Sequence, residues 1–266
     1  MNRSLRTAAT GMYAQQLNVD IIANNLANVN TTGFKKSRVE FQDLMYQTLR
    51  ASNNATAGSN GTVEPPMEIQ VGNGTQTVAT LKSFLQGDLQ PTHNSLDIAI
   101  QGEGFLQIKR SDGTFAYTRD GSLKVAADGV LVTSEGYVVQ PEIKLSSDTL
   151  EVVIGKEGTV EAKEVGQSSL MKLGQLELAR FVNPSGLRSI GTNLLVETAA
   201  SGQPIIGQAG SAGFGETLQG NLESSNVDVV EEMVNMITAQ RSYEINSKTI
   251  KTVEDMLQMA NNLKRG

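Results

Sequence analysis

The sequence predicts an α+β chain: long N- and C-terminal helices forming a coiled-coil-like pair, with an extended arm and a mainly antiparallel β body between them. Three observations predict it. Apolar residues recur every seven positions near both termini, Asp-Gly pairs punctuate alternating apolar runs in the middle, and a stretch of small polar residues separates the first helix from the strands.

In the first helix Leu5, Met12, Val19 and Leu26 fall seven residues apart, with Ala8, Ile22 and Val29 on the neighbouring stripe. This a/d-like seam suits helices packed at a shallow angle. The seam runs into "NNLANVNTTGFKK", Asn24 to Lys36, which holds four asparagines and two threonines. Such residues bond their own backbone and favour helix ends over helix middles. Gly33 is the expected left-handed residue just beyond the stop. After it, "ASNNATAGSNGTVEPPMEIQVGNGT" (Ala51 to Thr75) reads as a long loop or loosely extended arm.

From Leu96 the chain alternates short apolar runs with turn pairs. Asp112-Gly113, Asp120-Gly121 and Asp128-Gly129 are spaced eight residues apart, as hairpin turns of a meander would be. Segments between about Leu145 and Thr198, such as "LEVVIGKEGTV" and "NLLVET", supply a second set of strands.

The second helix repeats the seam with Val229, Met236, Tyr243, Ile250 and Leu257, accompanied by Met233, Ala239, Val253 and Ala260. Ser225, Asn226 and Asp228 are candidate N-caps, with Glu231 and Glu232 in the first turn. Both seams carry polar intruders (Gln15, Asn246) and adaptable methionines. Periodicity alone leaves two readings open, a private helical hairpin on a monomer and a surface shared among many copies. The resulting division is a discontinuous helical domain (1–34 plus 225–266), a connecting arm (35–75) and a β-rich domain (76–224).

Composition narrows the function. A net charge of −6 argues against a sequence-independent nucleic-acid binder. The absence of cysteine excludes thiolate metal sites and cysteine nucleophiles. His93, the single histidine, lies near Ser95 and Asp97, but three side chains two apart in a turn cannot form a relay. "GEGF" and "GNGT" lack the third glycine of a dinucleotide loop. No catalytic, metal or cofactor-binding residue is expected. The N-terminus has no apolar run of a cleaved secretion signal, and no stretch suggests membrane insertion.

The two ends carry a specific likeness. "NNLANVNTTGFKK" and "EEMVNMITAQRSYEINSKTIKTVEDMLQ" (Glu231 to Gln258) resemble the terminal signatures of the bacterial flagellar rod and hook proteins, and "IQGEGFLQI" and "AYTRDGSLKV" resemble their β-domain motifs. Within that family the opening residues, "FQDLMYQTLR" and the polar arm look most like the distal-rod type; the proximal-rod and hook types are the alternatives. A soluble binding module with a helical hairpin is the reading from another class.

The resemblance implies a structural subunit stacking into a hollow helical tube that transmits torque to the hook and conducts exported subunits. Implied partners are other copies of the chain, proximal rod proteins, the hook protein, the surrounding P- and L-ring proteins and the flagellar type III export apparatus; nucleic acid is not among them. The implied location is the basal body, in a rod spanning the periplasm. The resemblance also assigns polymerisation seams to Leu5, Met12, Val19, Ile22 and Leu26 and to Val229, Met236, Tyr243, Ile250, Val253 and Leu257. Asn28, Gly33 and Phe34 become the stop and outward turn, with Phe34 anchored on a neighbouring element. Lys35 and Lys36 are then expected in solvent or against a neighbour's carboxylates.

Overall fold

The first helix, α1 (Asn2–Ala27), ends where the asparagine cluster predicts. There Asn28 and Val29 donate to the carbonyls of Asn25 and Leu26 at 3.1 and 3.3 Å, a tightened last turn. In this computed structural model the described residues are 2–50, 68–146, 148–165 and 169–263. Most of the polar arm, 51–67, lies outside them.

Strands follow α1: β1 (Ser37–Asp43), β2 (Gln47–Arg50), β3 (Ile69–Val71), β4 (Thr75–Lys82), β5 (Leu89–Pro91), β6 (Ile98–Gln101), β7 (Phe105–Lys109), β8 (Phe115–Thr118), β9 (Leu123–Val125) and β10 (Leu131–Thr133). Then come β11 (Val138–Gln140), β12 (Thr149–Ile154), β13 (Thr159–Glu164), β14 (Met171–Gln175), β15 (Glu177–Arg180), β16 (Arg188–Gly191), β17 (Leu194–Val196), β18 (Ile205–Gln208), β19 (Glu216–Gln219) and β20 (Asn221–Glu223). The second helix, α2, spans Val229–Leu263.

The described residues divide into two units. One contains 2–24, 37–50, 68–81 and 230–263; the other contains 25–36, 82–146, 148–165 and 169–229. In the first, α1 and α2 approach each other closely at Gly11, where a Cβ would meet Asn246 Nδ2 at 3.0 Å. The mid-helix glycine, unfavourable by propensity, makes room for the polar intruder. Ala8, Ala14 and Ile22 of α1 are buried, as are Glu232, Ala239 and Val253 of α2. Another face of α1 meets the ribbon strands: Thr10 Oγ1 accepts from the Thr75 amide at 3.4 Å, and Arg6 donates to Asn73 Oδ1 at 3.1 Å. β1 pairs with β4 and β2 with β3, so the described part of the arm is partly ribbon rather than loop.

The second unit is built on a branched nine-stranded sheet in which β7 pairs antiparallel with β8, β11 and β15. Ile98, Ile100, Leu106, Ile108, Leu131, Val160, Leu176 and Leu178 fill its main core at 1% exposure or less. A second cluster stacks Phe105, Tyr117 and Phe181 edge to face, with centroids 5.9 and 4.8 Å apart. Two of the three Asp-Gly pairs turn hairpins, β7–β8 and β9–β10. The third does not: β8 pairs with β7 and β17 and never with β9. Gly121 instead lets two backbones cross, since a Cβ there would lie 1.6 Å from the Ile98 carbonyl oxygen.

Candidate functional site: the turn between helix and sheet

Residues 31–36 form a built site. Phe34 N–H donates to the Thr31 carbonyl at 3.2 Å, and Thr31 Oγ1 donates to Asn28 Oδ1 at 3.1 Å. Gly33 sits at φ +68°, as its position predicts, and a Cβ would come within 2.9 Å of the Arg119–Asp120 backbone. Its N–H donates to the Glu223 carbonyl at 2.8 Å. Phe34 is half-buried, with Lys82 Nζ 5.9 Å from its ring centroid.

Lys35 overturns its expectation: it points inward, not to solvent. Its Nζ donates to Glu223 Oε1 at 2.6 Å and to the Leu85 carbonyl at 2.6 Å. Arg119 Nε donates to Glu223 Oε2 at 2.8 Å, and its terminal nitrogens donate to the carbonyls of Gly104 and Ile100 at 2.6 and 3.2 Å. Gly87 N–H supplies the third donor to the carboxylate at 3.0 Å. The side chains are 4% (Lys35), 6% (Arg119) and 0% (Glu223) exposed. Two cations thus share one carboxylate, and the surplus positive charge faces backbone carbonyls.

The electrostatics follow from this crowding. Burial pushes the Glu223 carboxyl up, but Arg119 and Lys35 outweigh it and hold the group below the usual carboxylate range. Burial pulls Lys35 below the usual lysine range against the upward pull of Glu223.

Asn226, a candidate helix cap, is used otherwise. Its Oδ1 accepts from the Lys36 amide at 2.8 Å, and its Nδ2 donates to the carbonyls of Ser83 and Leu85 at 2.9 and 3.1 Å. The segment that leaves α1 and the segment that enters α2 are therefore cross-tied inside the sheet unit. No periodicity announces Arg119, Glu223 or Asn226. Arg119 lies inside one of the quoted family-like motifs, but "NLESSN" offers no comparable signal.

The remaining sequence-derived residues separate by burial. Ile22 and Val253 are 5% and 4% exposed. Leu5, Met12, Val19, Leu26, Met236, Ile250 and Leu257 are half-buried, and Asn28 likewise. Val229 and Tyr243 are 37% and 41% exposed. The buried line on α2 contains Glu232, Ala239 and Val253; the last two belong to the apolar set named from the sequence, and Glu232 does not. A second apolar stripe at the start of α2, Val230, Met233, Val234 and Ile237, stands 51% to 71% exposed.

Among the described residues, no group of three or more His, Cys, Asp or Glu side chains could hold a metal ion, and no helix is long and apolar enough to cross a membrane.

Comparison with known proteins matches three segments to family models: residues 5–35 to the flagella basal body rod protein, 99–162 to the D1 domain of flagellar hook protein FlgE/F/G, and 218–263 to the C-terminal part of flagellar basal body rod FlgEFG proteins. The chain is 53% identical over 267 residues, 100% of both chains, to the flagellar basal-body rod protein FlgG of Borreliella burgdorferi. It is 48% identical to that of Buchnera aphidicola subsp. Schizaphis graminum and 45% identical to that of Caulobacter vibrioides, in each case covering 98% of this chain and 99% of the relative.

Proposed function

This chain belongs to the flagellar basal-body rod protein family, and from that premise we propose how its residues serve its assembly. It is a structural subunit of the distal rod in the flagellar basal body, and it self-assembles and associates with other basal-body components. The finer reading is a hollow helical tube that carries torque to the hook and lets exported subunits pass. Proximal rod proteins, hook protein, P- and L-ring proteins and the export apparatus are its neighbours. A contact of this kind is heterologous and does not close on itself.

Most support comes from α2. Its buried line is occupied within the chain, yet Met233, Val234 and Ile237 remain 51% to 55% exposed on a neighbouring stripe. An apolar stripe of this kind on a subunit that self-associates is best covered by another copy. The half-buried seam residues, among them Met12, Val19, Met236, Ile250 and Leu257, hold the helices in the shape that presents it.

Complementation tests the reading. Ile237→Asp in the full chain should leave the thermal midpoint of the purified protein unchanged and abolish motility in a strain lacking its own copy. Normal motility with both Ile237→Asp and Val234→Asp would overturn it.

A further inference from the structure

We propose that the 25–36 turn is a latch that closes last, and that the C-terminal connector closes it. Two of the turn's long-range bonds come from residues 83–85, Lys35 Nζ donating to the Leu85 carbonyl and the Ser83 amide to the Lys36 carbonyl, and four others come from much further along the chain. Gly33 N–H and Lys35 Nζ reach Glu223, Lys36 N–H reaches Asn226, and the Thr32 carbonyl accepts from Asn193 Nδ2 at 3.0 Å. The receptor does not exist until β20 has paired with β5, setting Glu223 opposite Leu89. Before that pairing Lys35 and Arg119 have no carboxylate, and burying both cations without one is strongly unfavourable.

The loop from the turn to Glu223 spans close to 190 residues, so its closure entropy is spent after local hairpins such as β7–β8 and β9–β10 are made. The β20–β5 pair supplies the missing charge and the missing carbonyl together. One carboxylate thereby makes the seating of the helix exit conditional on the last quarter of the chain. A chain delivered N-terminus first cannot seat that exit early. An incomplete chain cannot seat it at all.

Native-state hydrogen exchange on the purified full-length chain tests this, read at the Gly33 and Lys36 amides against Leu106 and Ile108 in β7. In Glu223→Gln the turn amides should exchange at least about 100-fold faster while the β7 amides change less than about threefold. Should Glu223→Gln not fold, Asn226→Ala leaves the charged cluster intact and should speed the Lys36 amide by about tenfold with β7 unchanged. Pulse labelling during refolding of the unaltered chain should protect Leu106 before Gly33. Unchanged turn protection, equal losses in turn and β7, or protection of Gly33 before Leu106 would each overturn the latch.

Discussion

Lys35 and Glu223 lie 188 residues apart in sequence, and their charged atoms lie 2.6 Å apart in space, both out of reach of solvent. Removing the carboxylate alone strands two buried cations. Glu223→Ala should therefore cost about 3–5 kcal/mol in a urea unfolding midpoint. Replacing the whole cluster with apolar side chains of similar size (Lys35→Met, Arg119→Met, Glu223→Leu) should recover most of that loss. Equal loss in both variants would contradict the charge argument.

Gly33 is held at φ +68° with backbone within 2.9 Å of a would-be Cβ. Gly33→Val should cost at least about 2 kcal/mol and impair motility on complementation. Gly33→Asn, better suited to that conformation, should cost less but still meet the same wall. Thermal melts of the two variants check the order.

Acid should unfold the sheet unit through Glu223. Its carboxyl is held low in the fold, so the stabilisation is complete above the unfolded carboxylate range near about pH 4.3 and fades as pH falls through the lower folded value. Lys35 is also lowered, and its unfavourable contribution is relieved only as pH rises through its folded value towards the ordinary lysine range. The separate contributions of Glu223 and Lys35 should thus each climb as pH rises, one in the acid range and one in the alkaline range, and Lys35→Met should remove the alkaline climb.

Tyr117 gives the opposite sign. Burial, aided by Glu197, pushes its hydroxyl up to about 12. Its contribution is complete below the ordinary tyrosine value of about 10 and disappears as pH rises towards the folded one, a change of roughly 2–3 kcal/mol. Tyr117→Phe should remove that step from an alkaline titration of stability.

Gly11 and Asn246 form a coupled pair across the two helices. Gly11→Ala alone should forfeit its propensity gain of about 1 kcal/mol, because the methyl meets Asn246 at 3.0 Å. Joined to Asn246→Ala, it should recover that gain. A double-mutant cycle with no coupling energy would contradict the contact.

Much of this architecture was legible in the residues themselves. Seven-residue spacing marked both helices, the asparagine cluster marked where α1 ends at Ala27, and Gly33 was identified as left-handed. Asp112-Gly113 and Asp128-Gly129 turned as their residue types dictate. Asp120-Gly121 did not, because the same pair also suits a close backbone crossing, and only the Ile98 carbonyl beside it decides between the two. Lys35 departs from the sequence expectation for a similar reason. A lysine after a turn is ordinarily solvated, and the carboxylate that draws it inward sits near the other end of the chain.

By itself the sequence determined which stretches coil, where they stop and to which family the chain belongs, since those properties reside in neighbours a few residues apart. The tertiary structure decided which apolar stripe of α2 is filled within the molecule, which is left at 51% to 71% exposure, and which charges meet in the dark beneath the turn. Periodicity reports that a face is apolar but not what covers it, and a pairing across 188 residues exists only once the chain has closed upon itself.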